Sequence, residues 1–180
     1  PYLRVANVFR DRLELSEMKE IRVTSAEVER ATLRVGDVLV VEGHGNPDEL
    51  GRSAVWSGEI PGCTHQNHLI RVRPDPGRLE PIFLSAYLNS GAGRAQMLRM
   101  GKTTSGLNTI STNNVRSVAM LLPPLHEQRL FGRLIERKKR LAHAMVSSAN
   151  ATEELFDSLV HRAFRGELTG SNGASKPQLE

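Results

Sequence analysis

The sequence predicts a mixed α/β (α+β) domain followed by one long C-terminal α-helix, and three observations carry that prediction. Up to residue 122, short β-branched runs are cut by Gly, Pro, Asn and Asp, the punctuation of small strands and turns. Pro123-Pro124 then resists both helix interior and central strand. Beyond it, Leu125 to Phe164 holds no proline and one glycine, Gly132, while apolar residues return at intervals of three, four and seven.

Strands are expected over Tyr2–Val8, Ile21–Val23, Val38–Val41, Ser53–Trp56, Leu69–Arg73 and Val118–Leu122. Gly36-Asp37 marks a turn feeding the wholly apolar Val38–Val41. One helix is expected over Pro81–Asn89, where Ile82, Phe83, Ala86 and Tyr87 recur at helical spacing, and another over Gly93–Met100. The last helix, about 40 residues rising 1.5 Å each, would be roughly 60 Å long, too long for the preceding residues to cover. Its seam of Phe131, Leu134, Leu141, Met145, Leu155 and Leu159 is therefore expected to meet a partner helix in an antiparallel coiled coil. Lys138, Ser148 and Thr152 interrupt that seam, so a break near Ser147-Ser148-Ala149-Asn150 into two shorter helices stays open. The Gly/Ser-rich end reads as a mobile tail. The expected organisation is a domain over 1–123, a helical region over 124–168 and a tail over 169–180.

Composition narrows the function classes. No apolar run approaches membrane-spanning length, so no membrane partner is expected. The opening Pro1-Tyr2-Leu3-Arg4 lacks the apolar core of a signal peptide, and the single Cys63 can form no internal disulfide; both predict cytoplasmic residence. Net charge is only +4, yet 19 of the 24 basic residues are arginine. Arginine's planar fork grips phosphate and the guanine edge bidentately. A host that favours arginine codons would produce the same bias, so charge alone decides nothing.

Several segments together resemble the specificity subunit of type I restriction–modification systems. Leu121-Leu122-Pro123-Pro124-Leu125-His126-Glu127-Gln128 is similar to the junction that, in that family, closes a target-recognition domain and opens a conserved helical spacer. The helix ends in Ser158-Leu159-Val160-His161-Arg162-Ala163-Phe164-Arg165-Gly166-Glu167-Leu168, similar to the family's helix ending. Tyr2–Val8, Gly36–Leu39, Gln66–Val72, Thr104–Ile110 and Val115–Leu122 follow family habits in the family's order. Each motif alone is weak; their order and spacing across 1–168 are specific. The resemblance implies a non-catalytic DNA-recognition subunit without a cofactor or metal. Its partners would be double-stranded DNA and the separate methyltransferase and restriction subunits. A complete family member carries two recognition domains and two helices. One of each here implies a fragment entering the domain partway, or a half-size subunit that dimerises.

Base reading needs side chains that reach groove edges from a rigid scaffold, backed by phosphate contacts. Three segments offer them. Within Glu42–Arg52, His44, Asn46 and Arg52 are candidates, unless this is simply a surface loop. Within Cys63–Arg71, Gln66 and Asn67 suit adenine, while His65, His68 and Arg71 suit phosphate or base acceptors. Two other readings of that segment stand beside this one: a metal site from Cys63, His65 and His68, lacking the second ligand pair zinc favours, and buried hydrogen-bonders at a strand entrance. Within Arg99–Asn108, Lys102, Thr103, Thr104 and Ser105 suit a phosphate clasp. A Walker A loop is excluded there, because Gln96 stands where its first glycine belongs. The basic run Arg129, Arg133, Arg137–Arg140 reads as a solvated face, or as contacts to spacer phosphates or a partner subunit. An enzyme built on Glu42, His44, Asp48 and His65, or a coiled-coil protein without DNA binding, are the competing functions. Asn46-Pro47-Asp48-Glu49 is not a methyltransferase motif.

Overall fold

The computed structural model describes residues 1–104 and 106–168. Ser105 and the tail over 169–180 lie outside the described residues. In chain order the elements are β1 (Tyr2–Leu3), β2 (Val8–Phe9), β3 (Arg12–Leu13), α1 (Ser25–Ala31), β4 (Val38–Val41), β5 (Gly43–His44), β6 (Ser53–Val55) and β7 (Thr64–His65). They continue with β8 (Leu69–Val72), α2 (Pro81–Asn89), α3 (Gly91–Met100), β9 (Lys102–Thr104), β10 (Leu107–Thr109), α4 (Thr112–Arg116) and α5 (Leu125–Phe164).

The wholly apolar β4 organises the fold. It is the middle strand of the antiparallel sheet β6-β4-β8 and is buried on both faces. Because successive side chains point to opposite faces of a strand, it serves two cores. Leu39 and Val41 pack with Leu3, Val8, Leu33, Trp56 and Leu69. Val38 and Val40 pack with Leu50, Ile70, Leu84, Leu88, Met97 and Ile110. The helices of the second core start on capping chemistry: Pro81 occupies the first turn of α2, and Ser90 Oγ accepts the Gly93 N–H at the start of α3. Ser90 thereby begins α3 at Gly91, ahead of the expected Gly93. Gly93 is required there, since a Cβ would lie 2.2 Å from the Tyr87 carbonyl oxygen of α2.

The remaining expectations divide by what satisfies the backbone. Tyr2–Val8 is interrupted by a 3-10 turn over Val5–Asn7, because the buried Asn7 side chain accepts the Arg4 N–H and donates to the Glu14 and Glu17 carbonyls. Ile21–Val23 joins no sheet. Val118–Leu122 is no strand either: the Gln96 side chain takes both backbone groups of Ala119. Trp56 and Arg73 fall just outside β6 and β8. The β9/β10 hairpin, α1 and α4 are additions to the expected elements. Both short helices carry reciprocal capping boxes, Thr24 with Glu27 and Ser111 with Asn114.

The chain divides into two compact units, Pro1–Gly132 and a second beginning at Arg133. α5 runs unbroken through 40 residues, so no break occurs at Ser147–Asn150. Its first two turns belong to the first unit, where Gln128 is fully buried. The Gln128 amide accepts the Glu80 N–H and donates to the Arg78 and Pro123 carbonyls. Phe131, expected in the helix seam, packs edge-on against Phe83 of α2, with ring centroids 5.5 Å apart. That apolar surface is spent within its own unit. Farther along α5, Leu134, Leu141, Met145, Leu155 and Leu159 are exposed. Among the described residues, no helix is long and apolar enough to cross a membrane.

Candidate nucleic-acid interface

Three segments far apart in sequence meet on one side of the first unit. β5 pairs with β10, which pairs with β9, so the 42–52 and 99–108 segments form one small antiparallel sheet. Asn108 locks the two together: its amide donates to the Gly45 carbonyl at 3.2 Å and accepts from Thr103 Oγ1 at 2.8 Å. The 63–71 segment joins them through β4 and β8, where the Glu42 N–H donates to the His68 carbonyl. The result is one cleft lined by Glu42, Gln66, His68, Lys102, Ser111 and Asn114 among others.

Of the sequence-derived candidates, Gln66, His68 and Lys102 line this cleft. His68 Nδ1 lies 3.2 Å from Glu42 Oε2. Gln66 is held by its backbone, its N–H donating to Leu3 and its carbonyl accepting from Leu69, so its side chain projects from a fixed point. Asn67 beside it is exposed. Lys102 and Thr103 lie exposed on β9, and among the described residues the Lys102 amine makes no ion pair. Thr104 ends the same strand. His44 and Asn46 shape the adjoining turn: His44 Nδ1 accepts the Asn46 N–H, and Asn46 Oδ1 caps the 3-10 turn at Asp48. Asp48 is in turn held by Arg94 at 2.9 Å and by Arg10 through its carbonyl. That turn is therefore a clamped structure with polar side chains at its tip, not a loose loop.

Two candidates are corrected. Arg52 is buried, its guanidinium bonded to Glu49 and the Val5 carbonyl and lying over the Phe9 ring. The hydrogen bond from Arg52 holds the Glu49 carboxyl below its ordinary pKa. Arg71 turns to the end of α1, donating to the Arg30 and Thr32 carbonyls. Both arginines bind the fold together and are not presented by the cleft. Sequence reasoning misses Ser111 and Asn114 as cleft residues; the Ser-x-x-Asn spacing of a capping box is the available signal for both.

Several residues of the catalytic and metal alternatives are engaged by other protein groups. The Asp48 carboxylate is paired with Arg94, Cys63 is buried with its thiol toward the Thr64 carbonyl, and burial raises that thiol's pKa. Among the described residues, no three His, Cys, Asp or Glu side chains gather as metal ligands would.

His65 supplies a pH-dependent test of this geometry. Burial lowers its pKa, and the nearby Arg71 charge lowers it further. The folded state thus takes up the proton less readily than the unfolded chain, so stability falls as pH drops below the ordinary histidine value of about 6.5. His65→Gln should flatten that acid-side loss. Thermal midpoints at pH 7.5 and pH 5 measure it; an equal loss in both proteins would assign the titration elsewhere.

Comparisons with known proteins agree on one family. No family model matches the chain. It is 31% identical to the type I restriction enzyme StySPI specificity subunit of Salmonella potsdam, over 98% of this chain and 39% of that protein. It is 29% identical to the EcoKI specificity subunit of Escherichia coli K12, over 99% of this chain and 39% of that protein. The chain thus spans about two fifths of the length of these curated relatives. Among solved structures, the HsdS subunit from Thermoanaerobacter tengcongensis superposes with a TM-score of 0.63 at 21% identity, covering 98% of this chain and 44% of that one. The shared fold extends through almost all of this chain.

Proposed function

We propose that this chain, a relative of the type I restriction–modification specificity subunits along 98% of its length, reads one half of a bipartite DNA target and supplies one helical spacer. The observation that carries the reading is the convergence of Gln66, His68 and Lys102, from segments up to 36 residues apart, on one cleft. The cleft combines the two needs of base recognition: amide and imidazole groups on a fixed backbone, and an exposed cation for phosphate. The recognition role is non-catalytic. Methyl transfer and cleavage would reside in separate methyltransferase and restriction subunits, which this chain would position on cytoplasmic DNA.

Helix α5 acts as a ruler in this reading. Its 40 residues correspond to about 60 Å, and pairing with a second such helix would hold two recognition domains apart around an unread spacer. In isolation the partner would be a second copy, joined antiparallel through Leu134, Leu141, Met145, Leu155 and Leu159.

Binding to duplex DNA by fluorescence anisotropy across a salt series tests the reading. Lys102→Ala should weaken binding to every sequence and lower the salt slope by about one unit. Gln66→Ala should instead relax specificity, with a loss of about 1–3 kcal/mol confined to the preferred sequence. Salt-insensitive or absent binding by the purified chain would overturn the proposal in favour of a helix-mediated interaction protein.

A further inference from the structure

We infer that the cleft between Ile21–Val23 and the 65–67 turn is a subsite selective for an A·T base pair, read on its major-groove edge. The inference rests on the DNA-binding reading above and adds to it the chemistry of one base pair. Ile21 and Val23 are 55% and 40% exposed, and with Arg30, His65, Gln66 and Asn67 they line one cleft. Bare aliphatic side chains scattered singly over a surface are ordinary. Here two of them share a concave site with two carboxamides, and that combination has a specific complement.

An A·T pair presents, across the major groove, the adenine N7 acceptor, the N6 donor, the thymine O4 acceptor and the thymine methyl group. A carboxamide satisfies N7 and N6 together, and an aliphatic surface covers the methyl. A G·C pair has no methyl to place against Ile21 and Val23, and the Glu27 carboxylate that also lines the cleft is turned to its own helix cap, its Oε2 accepting from the Thr24 N–H and hydroxyl at 2.8 Å each. His65 adds no competing cation for guanine, since burial favours its neutral form. Arg30 is the one basic side chain in the cleft, and its Nε donates to the Ala26 carbonyl of its own helix at 3.2 Å. The backbone that carries the carboxamides is fixed at Gln66, whose N–H donates to the Leu3 carbonyl at 2.9 Å and whose carbonyl accepts from the Leu69 N–H at 3.0 Å. Gln66 lines both this cleft and the one containing Lys102, so the subsite continues the same recognition surface.

The test starts from a duplex selected out of a randomised pool by the full chain. Each thymine is then replaced by deoxyuridine, which deletes only the methyl group. At one A·T position the replacement should lower wild-type affinity about three- to tenfold. An Ile21→Ser/Val23→Ser variant should lose that sensitivity, and Asn67→Ala should relax preference at the same position. These residues are exposed, and circular dichroism checks that each variant stays folded. The subsite is overturned if no thymine methyl matters, if the double variant keeps the wild-type preference, or if Asn67→Ala relaxes a G·C position. A wild-type chain that binds no duplex at all overturns the DNA-binding reading itself, a separate outcome that removes the subsite with it.

Discussion

Replacing Arg73 with alanine is expected to destabilise the first unit by about 3 kcal/mol, from the penalty of leaving a buried carboxylate without its ionic partner. Asp37 is fully buried, and Arg73 contacts it through Nε at 2.7 Å and Nη2 at 2.8 Å. Without Arg73, the carboxylate keeps, among the described residues, the Arg34 N–H at 2.8 Å. Water reaches the outer side of Arg73, which is 39% exposed, and this places the loss at the low end of the range for broken buried pairs. The pair also sets geometry. Asp37 follows Gly36, whose φ of +89° reverses the chain, and leads into β4, the strand both cores share. Against a typical total stability of 5–15 kcal/mol, the loss should lower the thermal midpoint by roughly 6–12 °C. Urea unfolding measures it. A change below about 0.5 kcal/mol, the size of an ordinary surface substitution, would show that the ion pair does not hold this turn.

Placing glutamate at both Leu141 and Met145 is expected to abolish the proposed homodimer and leave the isolated chain a monomer. These side chains are 57% and 73% exposed, and Leu134, Leu155 and Leu159 on the same helix are exposed too. Burying an aliphatic side chain is worth about 1.5–3 kcal/mol, so several in one helix pairing favour association strongly. A carboxylate in that seam would lose hydration without an ionic partner. The variant should keep its helical signal and its duplex affinity per recognition domain, because neither residue belongs to the first unit. Sedimentation velocity at high micromolar concentration reads the outcome. A wild-type chain that is a monodisperse monomer under those conditions would overturn the proposed homodimer.

Periodic burial makes the main elements legible in the amino-acid sequence. Val38–Val41, Pro81–Asn89 and Leu125–Phe164 have the same limits in the sequence pattern and in the fold, because an apolar run or a 3.6-residue repeat records which faces are covered. Elements without that record escape. The β9/β10 hairpin is polar apart from Leu107, and its hydrogen bonds to β5 depend on where a distant segment lies. Val118–Leu122 has strand composition, yet Gln96 occupies the Ala119 backbone that a neighbouring strand would need.

The same boundary runs through the recognition surface. Sequence alone determined the family resemblance, the α/β-then-helix order and three polar segments with chemistry suited to DNA. Tertiary structure decided that those segments share one cleft, and which of their residues are free to act. Arg52 and Lys102 are both cations on candidate loops, but Glu49, the Val5 carbonyl and the Phe9 ring enclose the first, while the second stands exposed on β9. A residue's type sets what it can bind. Whether its partner is the protein or a ligand depends on contacts between residues far apart in the chain, such as Arg52 with Val5, and local sequence carries no signal for those.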